Sequence, residues 1–269
     1  MDRKLFATFT RRMCNFRPMN KTFGMSWSHV QSGDWYPHGM AALPGSYTMS
    51  ATIGRLGSEL SCEPMPASPY VKPFSVAYSL DGCPRRWDAV ESHASVSCVL
   101  YHSSLRAALL VRQFRPAVWA AAVREAAASG EPVPGPEVGF TYELCAGLRD
   151  RPALSAAQAM AAEIREEAGF EVSPEELLHV TTVVGSMGLA GSRQAVFAAA
   201  VDDAQVCAGR GGLAHEGEAI EVLALPINRF EAFWSDEGLA KSPGLIFALM
   251  WLQARLETHG ETLGVKSAE

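Results

Sequence analysis

Gly147-Leu148-Arg149-Asp150-Arg151-Pro152-Ala153-Leu154-Ser155, running on to Ala161-Ala162-Glu163-Ile164-Arg165-Glu166-Glu167-Ala168-Gly169-Phe170, is the stretch on which the reading of this chain turns. Glu163, Glu166 and Glu167 stand at i, i+3 and i+4, so an α-helix sets all three carboxylates on one face. Like charges that close repel, and folding alone gains nothing by grouping them. A hard divalent cation reverses the balance, because Mg²⁺ takes oxygen ligands. The helix is well specified locally. Ser155 is a candidate N-cap and Gln158 completes a capping box. Alanines fill the middle, and Gly169 is placed to end the helix in the left-handed conformation. Acidic triplets on exposed helices are also often simply solvated. Context favours a site here, since a glycine loop precedes the helix. Before that loop, Gly139-Phe140-Thr141-Tyr142-Glu143-Leu144-Cys145-Ala146 reads as a strand.

The run Ala162-Glu163-Ile164-Arg165-Glu166-Glu167-Ala168-Gly169-Phe170 resembles the second half of the Nudix hydrolase signature. Two departures stand out: Ala162 replaces the signature arginine, and Ala153 and Leu154 surround the place of the missing first glutamate. The stretch from Gly147 to Glu163 is also one residue longer than the usual pattern. Further segments are similar to the ADP-sugar and UDP-sugar pyrophosphatase branch, in the same order. They are Ser68-Pro69-Tyr70-Val71-Lys72-Pro73, Trp87-Asp88, Leu110-Val111-Arg112-Gln113-Phe114-Arg115-Pro116, Gly185 to Gln194, and His215-Glu216-Gly217-Glu218-Ala219-Ile220-Glu221-Val222. The likeness runs from about Ser68 to about Leu256 and is strongest to the UDP-sugar pyrophosphatases of animals.

The resemblance implies an α/β fold of Nudix type: an α/β/α sandwich with a mixed sheet, plus a small N-terminal antiparallel sheet used in dimerisation. It implies Mg²⁺, or Mn²⁺, held by Glu163, Glu166 and Glu167 with the backbone carbonyl of Ala146. The acidic loop supplies a general base, with Glu216 favoured and Glu218 as an extra ligand, the two being close alternatives. Glu166 joins the catalytic set directly or through water. Arg115 is the candidate phosphate contact, because a guanidinium holds two phosphate oxygens at once. Arg112 is a second candidate or a surface residue. Gly188, Leu189 and Ser192 would shape the pocket beside the leaving sugar phosphate, and Trp87 is either a nucleobase neighbour or core.

The bulk numbers are those of an ordinary globular chain: 269 residues, 48% hydrophobic and 19% charged, enough for one substantial core. A formal net charge of −6 argues against nucleic acid or an anionic membrane as the main partner. No apolar run reaches bilayer-spanning length. Six cysteines without C-x-x-C or zinc spacing suit a reduced, cytoplasmic setting, with Cys98 and Cys145 as small buried hydrophobes. Residues 1–62 read as an unstructured extension; their early basic residues also allow a mitochondrial transit peptide. Residues 68–93 read as N-terminal strands, 94–258 as the hydrolase domain and 259–269 as a flexible tail. Strands are expected at Phe74 to Leu80, Ala94 to Tyr101, Ala107 to Phe114, Leu177 to Val184, Ala195 to Val201 and Ala219 to Leu225. Helices are expected at Ala120 to Ala128, Asn228 to Trp234 and Ser242 to about Leu256. Cys207 to Gly217, rich in glycine, reads as mobile.

The function so expected is Mg²⁺-dependent hydrolysis of UDP-glucose and related sugar nucleotides to UMP and a sugar 1-phosphate. The alternatives are an ADP-ribose pyrophosphatase, and a catalytically weak Nudix-fold module that binds a nucleotide or a protein. A serine hydrolase is disfavoured, since no G-x-S-x-G elbow occurs.

Overall fold

A computed structural model describes residues 36–57, 62, 65, 67–68, 71–207, 209–260 and 263. In chain order its elements are β1 (Ala41–Ala42), α1 (Met49–Ile53), β2 (Lys72–Leu80), β3 (Cys83–Glu91), β4 (Ser95–His102), β5 (Ala107–Phe114) and α2 (Pro116–Ser129). There follow β6 (Phe140–Glu143), β7 (Cys145–Leu148), α3 (Ala156–Glu163), β8 (Leu178–Gly185), β9 (Ser192–Val201) and β10 (Glu221–Pro226). The chain ends with α4 (Phe230–Trp234), β11 (Ala240–Lys241) and α5 (Pro243–His259).

Alternation along the central strands decides the layering. Val96, Cys98 and Leu100 of β4, with Leu109 and Val111 of β5, point to one face and pack under Met160 and Ile164. Val99, Tyr101 and Leu110 point to the other, against Phe230, Phe233, Leu245, Leu249 and Leu252 of the C-terminal helices. Period-2 side chains thus give each face of the sheet its own apolar surface to cover. The result is the expected α/β/α sandwich. Its nine-stranded sheet runs β1-β10-β5-β4-β9-β8, with β6, β7 and β11 joined at its sides. It is mixed: β4 pairs β9 in parallel and β5 antiparallel. β2 and β3 form a separate antiparallel hairpin across Asp81 and Gly82, whose positive φ values of 52° and 75° suit a tight two-residue turn.

Two boundaries differ from the sequence reading. Residues 36–57, expected to lack structure, are packed: β1 lines the edge of β10, and Met40 and Leu43 are buried. Residues 1–35 lie outside the described residues, so a transit peptide there goes with them. In the expected tail, α5 continues to His259 and Leu263 is fully buried, with its carbonyl accepting a bond from Arg255 Nε at 2.9 Å. No helix among the described residues is long and apolar enough to cross a membrane.

Candidate active site

A fork in the sheet creates the site. β4 and β5 pair only where Leu100 to His102 face Leu109 to Ala107. Beyond that they part: β6 pairs β5 and β7 pairs β4, and the chain crosses the gap at Leu144. β7 therefore carries Cys145 and Ala146 in under α3. The register also brings the starts of β4, β9 and β10 and the ends of β5, β7 and β8 to one end of the sheet. The helix of carboxylates, Arg115, the acidic loop and the Gly-Ser loop all belong to that end.

The carboxylate helix begins as expected. Ser155 Oγ accepts from Gln158 N at 3.1 Å and Gln158 Oε1 from Ser155 N at 2.9 Å, closing the capping box. It does not end as a plain α-helix. Ile164–Ala168 forms a π turn in which Gly169 N donates to Ile164 O at 3.0 Å, with Gly169 left-handed at φ 74°. Such wide turns recur at functional sites. Glu163 thus closes the α-helix, while Glu166 and Glu167 sit on the wider turn.

Glu167 is buried, 4% exposed, and its Oε2 accepts from Ala146 N at 3.0 Å. Glu163 is half-buried, and a Cβ built at Gly147 would run into its carboxylate, so the glycine is what leaves room for it. Burial, first, and the charges of Glu166 and Glu218 push Glu163 up from 4.5 to about 7. Burial likewise raises Glu167 to about 8, with Glu163 and Glu218 adding to it and the Ala146 amide opposing it. Four glutamates from two separate segments so converge on one place. The arrangement fits a hard cation, which supplies the positive charge these oxygens lack. Among the described residues no three His, Cys, Asp or Glu side chains are grouped closely enough to hold a metal ion as they stand, so the carboxylates would have to draw together around one.

The acidic loop is tied down rather than loose over its described residues. Gly211 N donates to Glu167 O at 2.9 Å, Gly212 N to Glu166 O at 3.1 Å and Ile220 N to Gly211 O at 2.9 Å. Glu218 Oε2 accepts from Leu213 N at 2.8 Å, which turns this side chain inward. Glu216 lies in a short 3₁₀ turn, its side chain 57% exposed beside His215. The two loop glutamates, close alternatives in the sequence, thus occupy different environments.

The two arginines also separate. Arg115 caps α2 and makes a fork-to-fork pair with Glu143, at 2.8 and 2.7 Å. It remains half exposed, and the charges of Glu167 and Glu218 reach it, so it stands at the rim of the cluster. Arg112, expected as a substrate contact or a surface residue, is neither. It is 1% exposed and bonds Glu221 Oε2 through Nε at 2.9 Å and Nη2 at 2.6 Å. Its neighbours Val111 and Val222 face the α3 side of the sheet, so strand alternation turns Arg112 and Glu221 to the opposite side. Gly188 and Leu189 lie on a turn held against the hairpin: Trp87 Nε1 donates to Gly188 O at 2.9 Å and Val90 N to Leu189 O at 2.8 Å. Trp87 is exposed, not core. Ser192 opens β9 beside them.

Glu143 is a functional residue without a motif of its own in the sequence; its only signal is its place on β6, the strand paired with β5, which ends one residue before Arg115. Arg151 is a second such residue, and its charge opposes the rise of the Glu163 pKa. That residue lines a small cleft with Leu148, Asp150, Ala162 and Glu163, where the signature would place its arginine.

A glutamate-bearing helix behind a forked strand, within a mixed sheet covered on both faces, is the arrangement that the Nudix resemblance of the sequence implies. No family model matches the chain. It is 41% identical over 198 residues to "Uridine diphosphate glucose pyrophosphatase NUDT14" of Bos taurus, covering 69% of this chain and 89% of that one. The Mus musculus protein of the same name is 38% identical over 205 residues, 71% and 92% of the two chains. A "GDP-mannose pyrophosphatase" of Klebsiella pneumoniae is 32% identical over 155 residues, 58% and 68% of the two. The crystal structure of an "ADP compounds hydrolase" shares the fold with a TM-score of 0.53 at 16% identity, covering 74% of this chain and 93% of that one. The chain belongs to the Nudix hydrolases, alongside the uridine diphosphate glucose pyrophosphatases.

Proposed function

We propose that the chain hydrolyses the diphosphate of UDP-glucose and related sugar nucleotides, with a divalent cation, to UMP and a sugar 1-phosphate. The observation that carries this reading is the convergence of Glu163, Glu166, Glu167 and Glu218 at the fork beside Ala146. Glu163, Glu166 and Glu167 would hold the cation, Mg²⁺ or Mn²⁺, together with the Ala146 carbonyl. When bound, such an ion offsets phosphate charge and favours water as a nucleophile. Glu218, its carboxylate bonded back to Leu213 N, would accept the proton of the attacking water in place of Glu216, the base the sequence favours; Glu216 would reach the same place only if the loop closes further. Water adds to one phosphorus, the bridging P–O bond breaks, and the electron pair leaves on the departing phosphate. Arg115, held in a fixed orientation by Glu143, contacts the diphosphate from the rim. The loop of Gly188, Leu189 and Ser192 bounds the sugar phosphate.

The partner is a second copy of the chain. The hairpin supports this: β2 is exposed along its whole length and carries Phe74, Val76, Tyr78 and Leu80 with Trp87 opposite, a contiguous row of exposed apolar side chains of the kind that marks an interaction surface. The reading includes a cytoplasmic placement, consistent with free cysteines at 62, 83, 98, 145 and 207.

The test is turnover of UDP-glucose, GDP-mannose and ADP-ribose in Mg²⁺, with products separated and the reaction run in ¹⁸O-water. UMP and glucose 1-phosphate formed fastest from UDP-glucose is the expected outcome, and the labelled product names the phosphorus attacked. A faster ADP-ribose reaction moves the chain to the alternative substrate. No turnover of any of the three leaves the binding module.

A further inference from the structure

Residues 36–57 pack where the chemistry of the acidic loop is set. β1 pairs with Ala224 and Leu223 of β10, and the chain then continues along the same strand: Leu43 N donates to Val222 O at 2.8 Å and Tyr47 N to Ile220 O at 3.1 Å. The strand that follows the acidic loop is thus gripped back to its first residues. Between these bonds Glu221 is clamped as well. Its carboxylate accepts from Tyr36 OH at 2.9 Å and Met49 N at 3.2 Å, besides Arg112. A buried carboxylate with this many donors is fixed in place, since leaving any of them unmatched is costly.

Tyr47 makes the contact that reaches the loop itself. A Cβ at Gly211 would lie 3.2 Å from Tyr47 Cδ2 and 3.5 Å from Cε2, so the ring already rests on the Gly211 backbone. Gly211 has φ 102°, a conformation that favours glycine. On its other side Gly211 N is bonded to Glu167 O, and its neighbour Gly212 N to Glu166 O. The Tyr47 ring is itself covered by the Arg55 guanidinium, 5.0 Å from its centroid. The start of the acidic loop is therefore held between the carboxylate helix and the N-terminal segment.

We infer that residues 36–57 are a strap that positions the acidic loop of the active site, with Tyr47 as the positioning residue through its ring. This rests on the function proposed above, since the loop matters only if Glu218 or Glu216 works in catalysis. Tyr47 touches no substrate; it acts by fixing Gly211 and, through it, the run to Glu218. A small displacement of a catalytic group costs up to about 10²-fold in rate.

The experiment compares the full chain with Tyr47→Ala and Tyr47→Phe in two readouts: hydrolysis of UDP-glucose in Mg²⁺, and hydrogen exchange of the amides of Gly211, Gly212 and Ile220. The expected result for Tyr47→Ala is faster exchange confined to this loop and a kcat lower by about ten- to a hundredfold, with a smaller change in KM. Tyr47→Phe keeps parent values in both, because the contacts belong to ring carbons. Parent-like exchange in Tyr47→Ala overturns the strap, as does exchange that rises throughout the sheet. Tyr47→Leu makes the same comparison should the alanine variant not fold. A parent that hydrolyses nothing overturns the proposed function, and the exchange comparison still decides the strap.

Discussion

Glu167 and Glu163 are held in surroundings that resist their ionisation, and a cation relieves that resistance. Their pKa values rise from 4.5 to about 8 and about 7 on folding. Between the unfolded and folded values the folded protein binds more protons than the unfolded chain. Metal-free stability is therefore kept below pH 4.5 and falls as pH rises through the window up to about 8. Mg²⁺ binding to the ionised pair opposes the fall, so Mg²⁺ should raise Tm more at pH 8 than at pH 6. Thermal unfolding at both pH values checks this, and an equal or larger Mg²⁺ effect at pH 6 contradicts it. The same scale separates the loop glutamates. Glu218→Gln should lower kcat by about 10²–10⁴-fold, as loss of a general base does. Glu216→Gln, at an exposed position, should change it far less. Steady-state rates of the two variants decide between them.

At the scale of elements, the glycine within β7 makes room for the chemistry. Gly147→Ala sets a methyl against the Glu163 carboxylate. That carboxylate ends a flexible side chain and can swing away at little cost to the fold. The variant should keep Tm within a few degrees of the parent and lose about tenfold or more in activity, as paired melting and rate measurements would show. The elements that sequence patterns announce are those with local signals. The capping box at Ser155 and Gln158, the left-handed Gly169 and the alternation of β4 and β5 are each written within a few residues. The strap is not. Tyr36 meets Glu221 across 185 positions, and nothing in Ala41-Ala42-Leu43 marks it as an edge strand. The π turn was also hidden, because Gly169 as a C′ residue suits either kind of helix end. The role of Arg112 is hidden for a related reason: an arginine in a strand near Arg115 invites a phosphate role, and its buried acid lies on another strand 109 positions away.

At the scale of the molecule, two helical layers stabilise a sheet whose one end is given over to charge. The layer remote from the carboxylates carries none of the proposed chemistry. Leu249→Ala, in a fully buried position of α5, should cost about 2–5 kcal/mol. At about 2–4 °C per kcal/mol that lowers Tm by roughly 4–20 °C, while kcat of the folded fraction stays near the parent value. The bare hairpin gives a second whole-molecule expectation. Light scattering should find twice the 29.0 kDa chain mass, and Val76→Asp on β2 should shift the population towards single chains. The central claim, that gathered glutamates and a divalent cation make this chain a sugar-nucleotide hydrolase, is tested most directly by one comparison. The rate of UMP release from UDP-glucose in Mg²⁺ is measured for the parent and for Glu167→Gln, each shown to be folded by its melting curve. The account predicts turnover by the parent and a drop of about 10²-fold or more in the variant, with a metal-free Tm at pH 8 equal to or above the parent's. A folded Glu167→Gln that releases UMP at the parent rate contradicts it.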